Sequence, residues 1–327
     1  MFRNSIKKLL FLATAVVAIT SLVFTACSDN QSENALDSSA LSEKPLIVVT
    51  TNILGDVVSN MVGESFDVEI IMPPGADPHD FQASAQQVAK IMEADLLVVN
   101  GANFEEGMLD VIEAAESDGV MVFEAISVIA QLEGSDDHDD HEGHDDHDHG
   151  GIDPHFFTDP ARMMQMAEEL SEFLVANFPN ADQNFVSIAN NYTKQLRDLD
   201  TEVEEVLSAI PADRRVMVTN HSVFAYFAER YEFEILGEII PTTSTLANAS
   251  AQQLAALAEE LKSSQVSAIF ADASSSNILA QTIASEVDGV EVVNLFTESL
   301  GDPDAAGASY IEMVRFNAQT IASALLD

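Results

Sequence analysis

The chain has 327 residues, enough for two domains of ordinary size, and 47% of them are hydrophobic, enough to fill a core. Lys and Arg number 13 against 55 Asp and Glu, a net charge of −42 that argues against nucleic acid and anionic membrane surfaces as partners. With one cysteine there is no internal disulfide.

Residues 1–26 read as an export signal. Arg3, Lys7 and Lys8 make a basic start and residues 9–24 an apolar run. The run ends at Phe24-Thr25-Ala26-Cys27, which resembles the lipobox of bacterial lipoproteins, with Phe24 where Leu is preferred. That resemblance implies a lipid on Cys27 and an extracytoplasmic, lipid-anchored chain, in the periplasm or on the outer face of the cytoplasmic membrane. Residues 27–44, rich in Ser, Asp, Glu and Asn, make a flexible tether.

From residue 45 the pattern changes. Residues 46–51, L-I-V-V-T-T, have the β-branched apolar run of a buried parallel strand. A helix at 53–62, a strand at 68–72, a helix at 84–92 capped by Ser84, a strand at 96–100, a helix at 104–115 and a strand at 120–123 follow. After an interruption come two helices, 161–176 and 182–210; at roughly 1.5 Å per residue the second would exceed about 40 Å, long enough to span two lobes. Alternation then resumes with strands at 216–220, 235–240, 268–271 and 290–295, and helices at 223–231, 250–261, 277–286 and 308–325. The expected fold is α/β, two βα lobes with parallel sheets joined by one long helix. Its parts would be an N-terminal lobe at 45–158, a helical segment at 159–210 and a C-terminal lobe at 211–327.

The interruption, residues 133–151, is chemically distinct. His138, His141, His144, His147 and His149 alternate there with Asp and Glu, and no apolar side chain is present to pack. Imidazole and carboxylate both ligate divalent metals, with imidazole suiting zinc, copper and nickel. Only three other histidines exist. His79 ends P-P-G-A-D-P-H after the second strand, His155 follows Asp153-Pro154, and His221 follows the strand V-M-V-T-N. Each lies at a break after apolar sequence, where open α/β sheets build their sites. Three neutral imidazoles and a carboxylate would complete zinc's tetrahedral shell.

Six segments carry a resemblance: T-T-N-I-L-G-D-V-V (50–58), M-P-P-G-A-D-P-H-D-F (72–81), D-L-L-V-V-N-G (95–101), D-P-H-F-F (153–157), T-N-H-S-V-F-A-Y-F (219–227) and T-E-S-L-G (297–301). Together they resemble the cluster A-I solute-binding proteins of zinc and manganese ABC importers. The resemblance implies a rigid helix between lobes and a metal site in the interlobe cleft, with His79, His155 and His221 as ligands. The family's fourth ligand is usually an aspartate in a T-D-S-type motif. That position holds Glu298 here, so the fourth ligand is Glu298, Asp272 or water, with Glu298 favoured. The resemblance further implies an ABC permease and its ATPase as partners, a metallochaperone as a candidate partner, and a His-rich loop that collects or senses zinc. Three histidines favour Zn2+ over Mn2+, since manganese members tend to replace a histidine with a carboxylate. Asp77, Asp153 and Asp272 are candidates to support the ligands from behind, whereas Glu105 and Glu106 need no role beyond the start of a helix. A monomer is expected.

Two other classes compete. A zinc hydrolase needs an open coordination position and a nearby base, and no H-E-x-x-H, G-x-S-x-G or phosphate-binding loop occurs. A surface adhesin with a structural zinc ion would carry the same anchor and the same histidines.

Overall fold

A computed structural model describes residues 44–134, 151–264 and 266–326. The export signal, Cys27, the tether and the five loop histidines lie outside these residues. Among the described residues no helix is long and apolar enough to cross a membrane.

Among the described residues eight strands form two parallel sheets. The first contains β1 (Leu46–Val49), β2 (Asp67–Ile70), β3 (Leu96–Val99) and β4 (Val122–Glu124) in the order β2-β1-β3-β4. The second contains β5 (Val216–His221), β6 (Glu234–Ile240), β7 (Ala268–Asp272) and β8 (Glu291–Leu295) in the order β6-β5-β7-β8. Both sheets thus share one plan: the first strand of each lies inside, flanked by its second and third. Ile47 pairs with both Val68 and Leu96, and Thr219 with both Glu238 and Phe270. The central strands β1 and β3 are buried almost throughout, which is why they read as unbroken apolar runs.

Several helices start where side chains satisfy the free amides of a first turn. Thr51 caps α1 (Asn52–Val62) through Leu54 N, and Ser84 and Gln87 form a reciprocal capping box on α2 (Ala85–Met92). The expected helix at 104–115 instead begins as a 3-10 turn, Glu106–Met108, continuing into α3 (Leu109–Ser117). Asp159 caps α4 (Pro160–Asn177), with Pro160 at the first position, where its missing N–H costs nothing. The long helix α5 is Phe185–Ser208. Its 24 residues span about 36 Å rather than more than 40 Å. It is shorter because the Asp182 carboxylate holds Asn184 N in a turn before it, and because Pro211 disfavours helical backbone just ahead of itself. The second sheet carries α6 (Ala225–Tyr231), α7 (Ala251–Ser264) and α8 (Ile278–Glu286), and α9 (Tyr310–Leu326) ends the described chain.

Alternation along the strands divides the core. Ile47, Val49, Leu96 and Val98 face a central apolar mass with Met217, Ala268, Phe270 and Leu295 of the other sheet, filled by α1, α4, α5 and α9. Val48, Leu97 and Val99 face outward to α2 and α3, and Val218, Ile239, Ile269 and Ala271 face outward to α7 and α8. The carboxyl ends of the sheets carry the candidate site.

Candidate metal centre

His79, His155, His221 and Glu298 come from four separate breaks in the fold. His79 lies in the loop after β2, where Gly75 at φ 76° makes a turn and the Asp77 carboxylate accepts the His79 amide at 2.9 Å. His155 precedes the 3-10 turn Phe156–Thr158 that leads into α4. His221 is the last residue of β5. Glu298 lies on the loop after β8, whose start is fixed by the paired amide of Asn317: Phe296 N donates to its Oδ1 at 3.0 Å and its Nδ2 donates to Phe296 O at 2.6 Å.

The four side chains meet at one oxygen. Glu298 Oε1 lies 2.8 Å from His79 Nε2, 3.1 Å from His221 Nε2 and 3.3 Å from His155 Nε2. All four residues are no more than 2% exposed. Their ligand atoms lie within 4.8 Å of one another, and this is the one such cluster among the described residues. Ligands at zinc's usual 2.0–2.1 Å would sit about 3.3–3.4 Å apart at the corners of a tetrahedron. The carboxylate-to-imidazole distances already approach that edge.

Carboxylates stand behind two of the three imidazoles. Asp153 Oδ1 accepts both the backbone N and Nδ1 of His155 at 2.8 Å, which turns Nε2 toward Glu298. Glu106 Oε1 lies 3.0 Å from His79 Nδ1. His221 Nδ1 and Glu298 Oε2 have no hydrogen-bond partner among the described residues. Phe104 fills the angle between two of the imidazoles, edge-on to His79 at 5.1 Å and to His155 at 5.5 Å between centroids.

The electrostatics follow from packing these charges out of water. Burial disfavours the His79 imidazolium, but Glu298 and Glu106 more than compensate and push its pKa up to about 10. Burial likewise opposes charge on His155, and Asp153 with Glu298 raises it nevertheless. Glu298 would be pushed up by burial alone, yet the facing His221 and His79 hold it well below the usual carboxylate range. A buried anion ringed by imidazoles is an arrangement ready to exchange protons for a divalent cation.

Among the supporting candidates, Asp153 holds an imidazole. Asp77 instead holds the His79 backbone and accepts Thr245 Oγ1 at 2.8 Å. Asp272 makes its hydrogen bonds to Ser274 N at 3.0 Å and Ser274 Oγ at 2.5 Å, so it does not join the four. Burial and the Glu298 charge raise its pKa. Glu105 and Glu106 do more than begin a helix. Glu105 is buried and accepts from Thr50 Oγ1 and from Asn100 N and Gly101 N, fixing the loop that presents Glu106 to His79. Nothing in the sequence distinguishes Glu106 from an ordinary acidic residue in a first helical turn.

Residues 47–324 match the family profile described as zinc-uptake complex component A, periplasmic (ZnuA). The manganese ABC transporter substrate-binding lipoprotein PsaA of Streptococcus anginosus is 27% identical over 327 residues, covering 98% of this chain and 99% of that protein. The manganese-binding lipoprotein MntA of Halalkalibacterium halodurans is 26% identical over 312 residues, covering 95% and 97%. Among solved structures, the periplasmic zinc binding protein TroA from Treponema pallidum superposes with a TM-score of 0.75 at 28% identity, covering 86% of this chain and 99% of that one. The Mn-bound periplasmic metal binding protein from Candidatus Liberibacter asiaticus shares the fold with a TM-score of 0.73 at 21% identity, covering 86% and 100%.

Proposed function

The chain belongs to the periplasmic zinc-uptake component A family, and on that footing we propose that His79, His155, His221 and Glu298 hold a Zn2+ ion as cargo for an ABC importer. Membership makes this a metal-binding transport component rather than an enzyme, working outside the cytoplasm with a membrane permease and its ATPase. The observation that carries the reading is the convergence of three Nε2 atoms on Glu298 Oε1 at 2.8–3.3 Å in a pocket closed to solvent. Three imidazoles and one carboxylate suit zinc, and manganese prefers sites richer in oxygen. Cys27 carries the lipid that keeps the protein at the membrane. The loop histidines His138, His141, His144, His147 and His149 gather zinc at lower affinity without contributing to the tight site.

Manganese is the second reading, favoured by the names of the relatives from Streptococcus anginosus and Halalkalibacterium halodurans. A competition titration of zinc against manganese separates the two. One zinc held tightly, lost in each of His79→Ala, His155→Ala and His221→Ala, supports the zinc carrier. Tight manganese with weak zinc transfers the reading to manganese. For the loop, residues 135–150 are deleted and Gly134 is joined to Gly151, which the fold already brings together with Gly134 N 2.6 Å from Gly151 O. The tight zinc should survive this deletion while total zinc uptake falls, and a lost tight zinc would refute the assignment.

A further inference from the structure

The ligands lie on segments from both sheets, so something must hold those segments together when no ion does. Asn52, the first residue of α1, sits at the seam and is 5% exposed. Its Nδ2 donates to Pro73 O at 2.9 Å, on the loop that leads to His79. The same Nδ2 donates to Ser299 Oγ at 2.8 Å, and its Oδ1 accepts Leu300 N at 2.8 Å, on the loop that bears Glu298. Ser299 Oγ also accepts Gly75 N at 2.8 Å, and Gly75 N reaches Leu300 O at 3.2 Å. One buried amide therefore ties the loop after β2 to the loop after β8, where Gly75 and Ser299 are 224 residues apart. Each of its atoms is matched to a partner, so a flipped amide would face Pro73 O with an oxygen and Leu300 N with a nitrogen. That matching fixes its orientation.

We propose that Asn52 is a strap that holds this seam shut and so sets how long the ion stays in the centre. Among the described residues its side-chain hydrogen bonds go to Pro73, Ser299 and Leu300 rather than to a ligand side chain. It positions the backbone on either side of the centre, and because the four ligands are buried, an ion can leave only when such a seam parts. The residence-time half of the proposal rests on the reading of the centre as a metal carrier; the strap itself does not.

The test compares the full chain with Asn52→Ala and Ser299→Ala. The second removes one buried hydroxyl and leaves Asn52 in place, and it serves if the first folds poorly. Two readouts are taken. Zinc release into excess chelator should quicken about tenfold in Asn52→Ala, the effect of three lost hydrogen bonds after water replaces most of their worth, and zinc association, which needs the same parting, should quicken rather than slow. Amide exchange of Gly75, measured in chelator, should also quicken, although Gly75 does not bond to Asn52, and the Leu97 amide within the first sheet should stay protected. Zinc release and Gly75 exchange both at the wild-type rate in folded variants would overturn the proposal. Faster exchange with unchanged release would overturn its residence-time half. If the wild-type chain retains no metal, the carrier reading falls, and Gly75 exchange alone decides the strap.

Discussion

Replacing Glu298 by aspartate withdraws the central carboxylate by one carbon–carbon bond, about 1.5 Å. Glu298 Oε1 now stands 2.8–3.3 Å from the three Nε2 atoms, so an ion among the imidazoles can be reached at about 2.0–2.2 Å. After the substitution the same oxygen would lie about 3.5 Å from the ion, outside bonding range. Losing a direct ligand should cost more than losing an outer partner, whose removal weakens metal affinity 10–100-fold, so a loss of at least about a hundredfold, ~2.7 kcal/mol, is expected. Glu298→Gln keeps the reach and removes the charge, and should weaken zinc to a similar degree. Competition with a chromogenic chelator gives the affinities, and thermal melting gives an independent reading. At free zinc about one hundred times the wild-type Kd, the wild type gains about 2.7 kcal/mol and a hundredfold weaker variant about 0.4 kcal/mol, a gap of several degrees in Tm. Wild-type affinity in either variant would remove Glu298 from the ligand set.

Further outcomes follow from the surroundings of the centre. Asp153→Asn should weaken zinc more than Glu106→Gln in the same chelator competition, within the 10–100-fold range, because Asp153 is fully buried whereas Glu106 is about one-third exposed. Gly107→Ala would place a Cβ 2.3 Å from the backbone oxygen of Phe81. That clash should cost about 1–3 kcal/mol in denaturant melts and spread Glu106 from His79, lowering zinc affinity as well. In the metal-free chain the raised His79 pKa stabilises the fold fully below pH about 6.5, and that contribution is lost as pH rises through about 10. Chelator-treated protein should therefore lose Tm over this window. Zinc binding at pH 7 should release at least one proton, read by calorimetry in buffers of different ionisation heat. A Tm that rises from pH 7 to 9 without metal would contradict the His79 charge.

The strands and most helices were legible because their signals are local. Leu46–Val49 and Leu96–Val99 are buried on both faces, and β-branched runs report that directly. Ser84 capped its helix as expected because a hydroxyl three residues before a glutamine needs no distant partner. The three histidines stood out because the chain holds so few outside the acidic loop. Glu106 did not, because its link to His79 arises from sheet order: β2 and β3 flank β1, and only that arrangement brings their following loops together. Asn52 was hidden for the same reason, since Ser299 and Leu300 approach it from the far end of the chain. The ends of α5 were placed too generously because apolar spacing continues through Ile210, where the approaching Pro211 decides the backbone.

The apolar mass between the sheets has a consequence for cooperativity. Residues of both sheets, with α1, α4, α5 and α9 between them, belong to one continuous core, and Tyr310 joins them further by donating to Phe157 O at 2.9 Å while its own amide reaches Asp56. Each sheet also has an outer apolar layer of its own, but its inner face would be laid bare if the opposite half unfolded. Despite its two sheets, the molecule should melt in a single calorimetric transition, with van't Hoff and measured enthalpies in agreement. An ion bound at the seam would then raise that one transition as a whole, so the state of four side chains is read out by the resistance of the entire chain to unfolding.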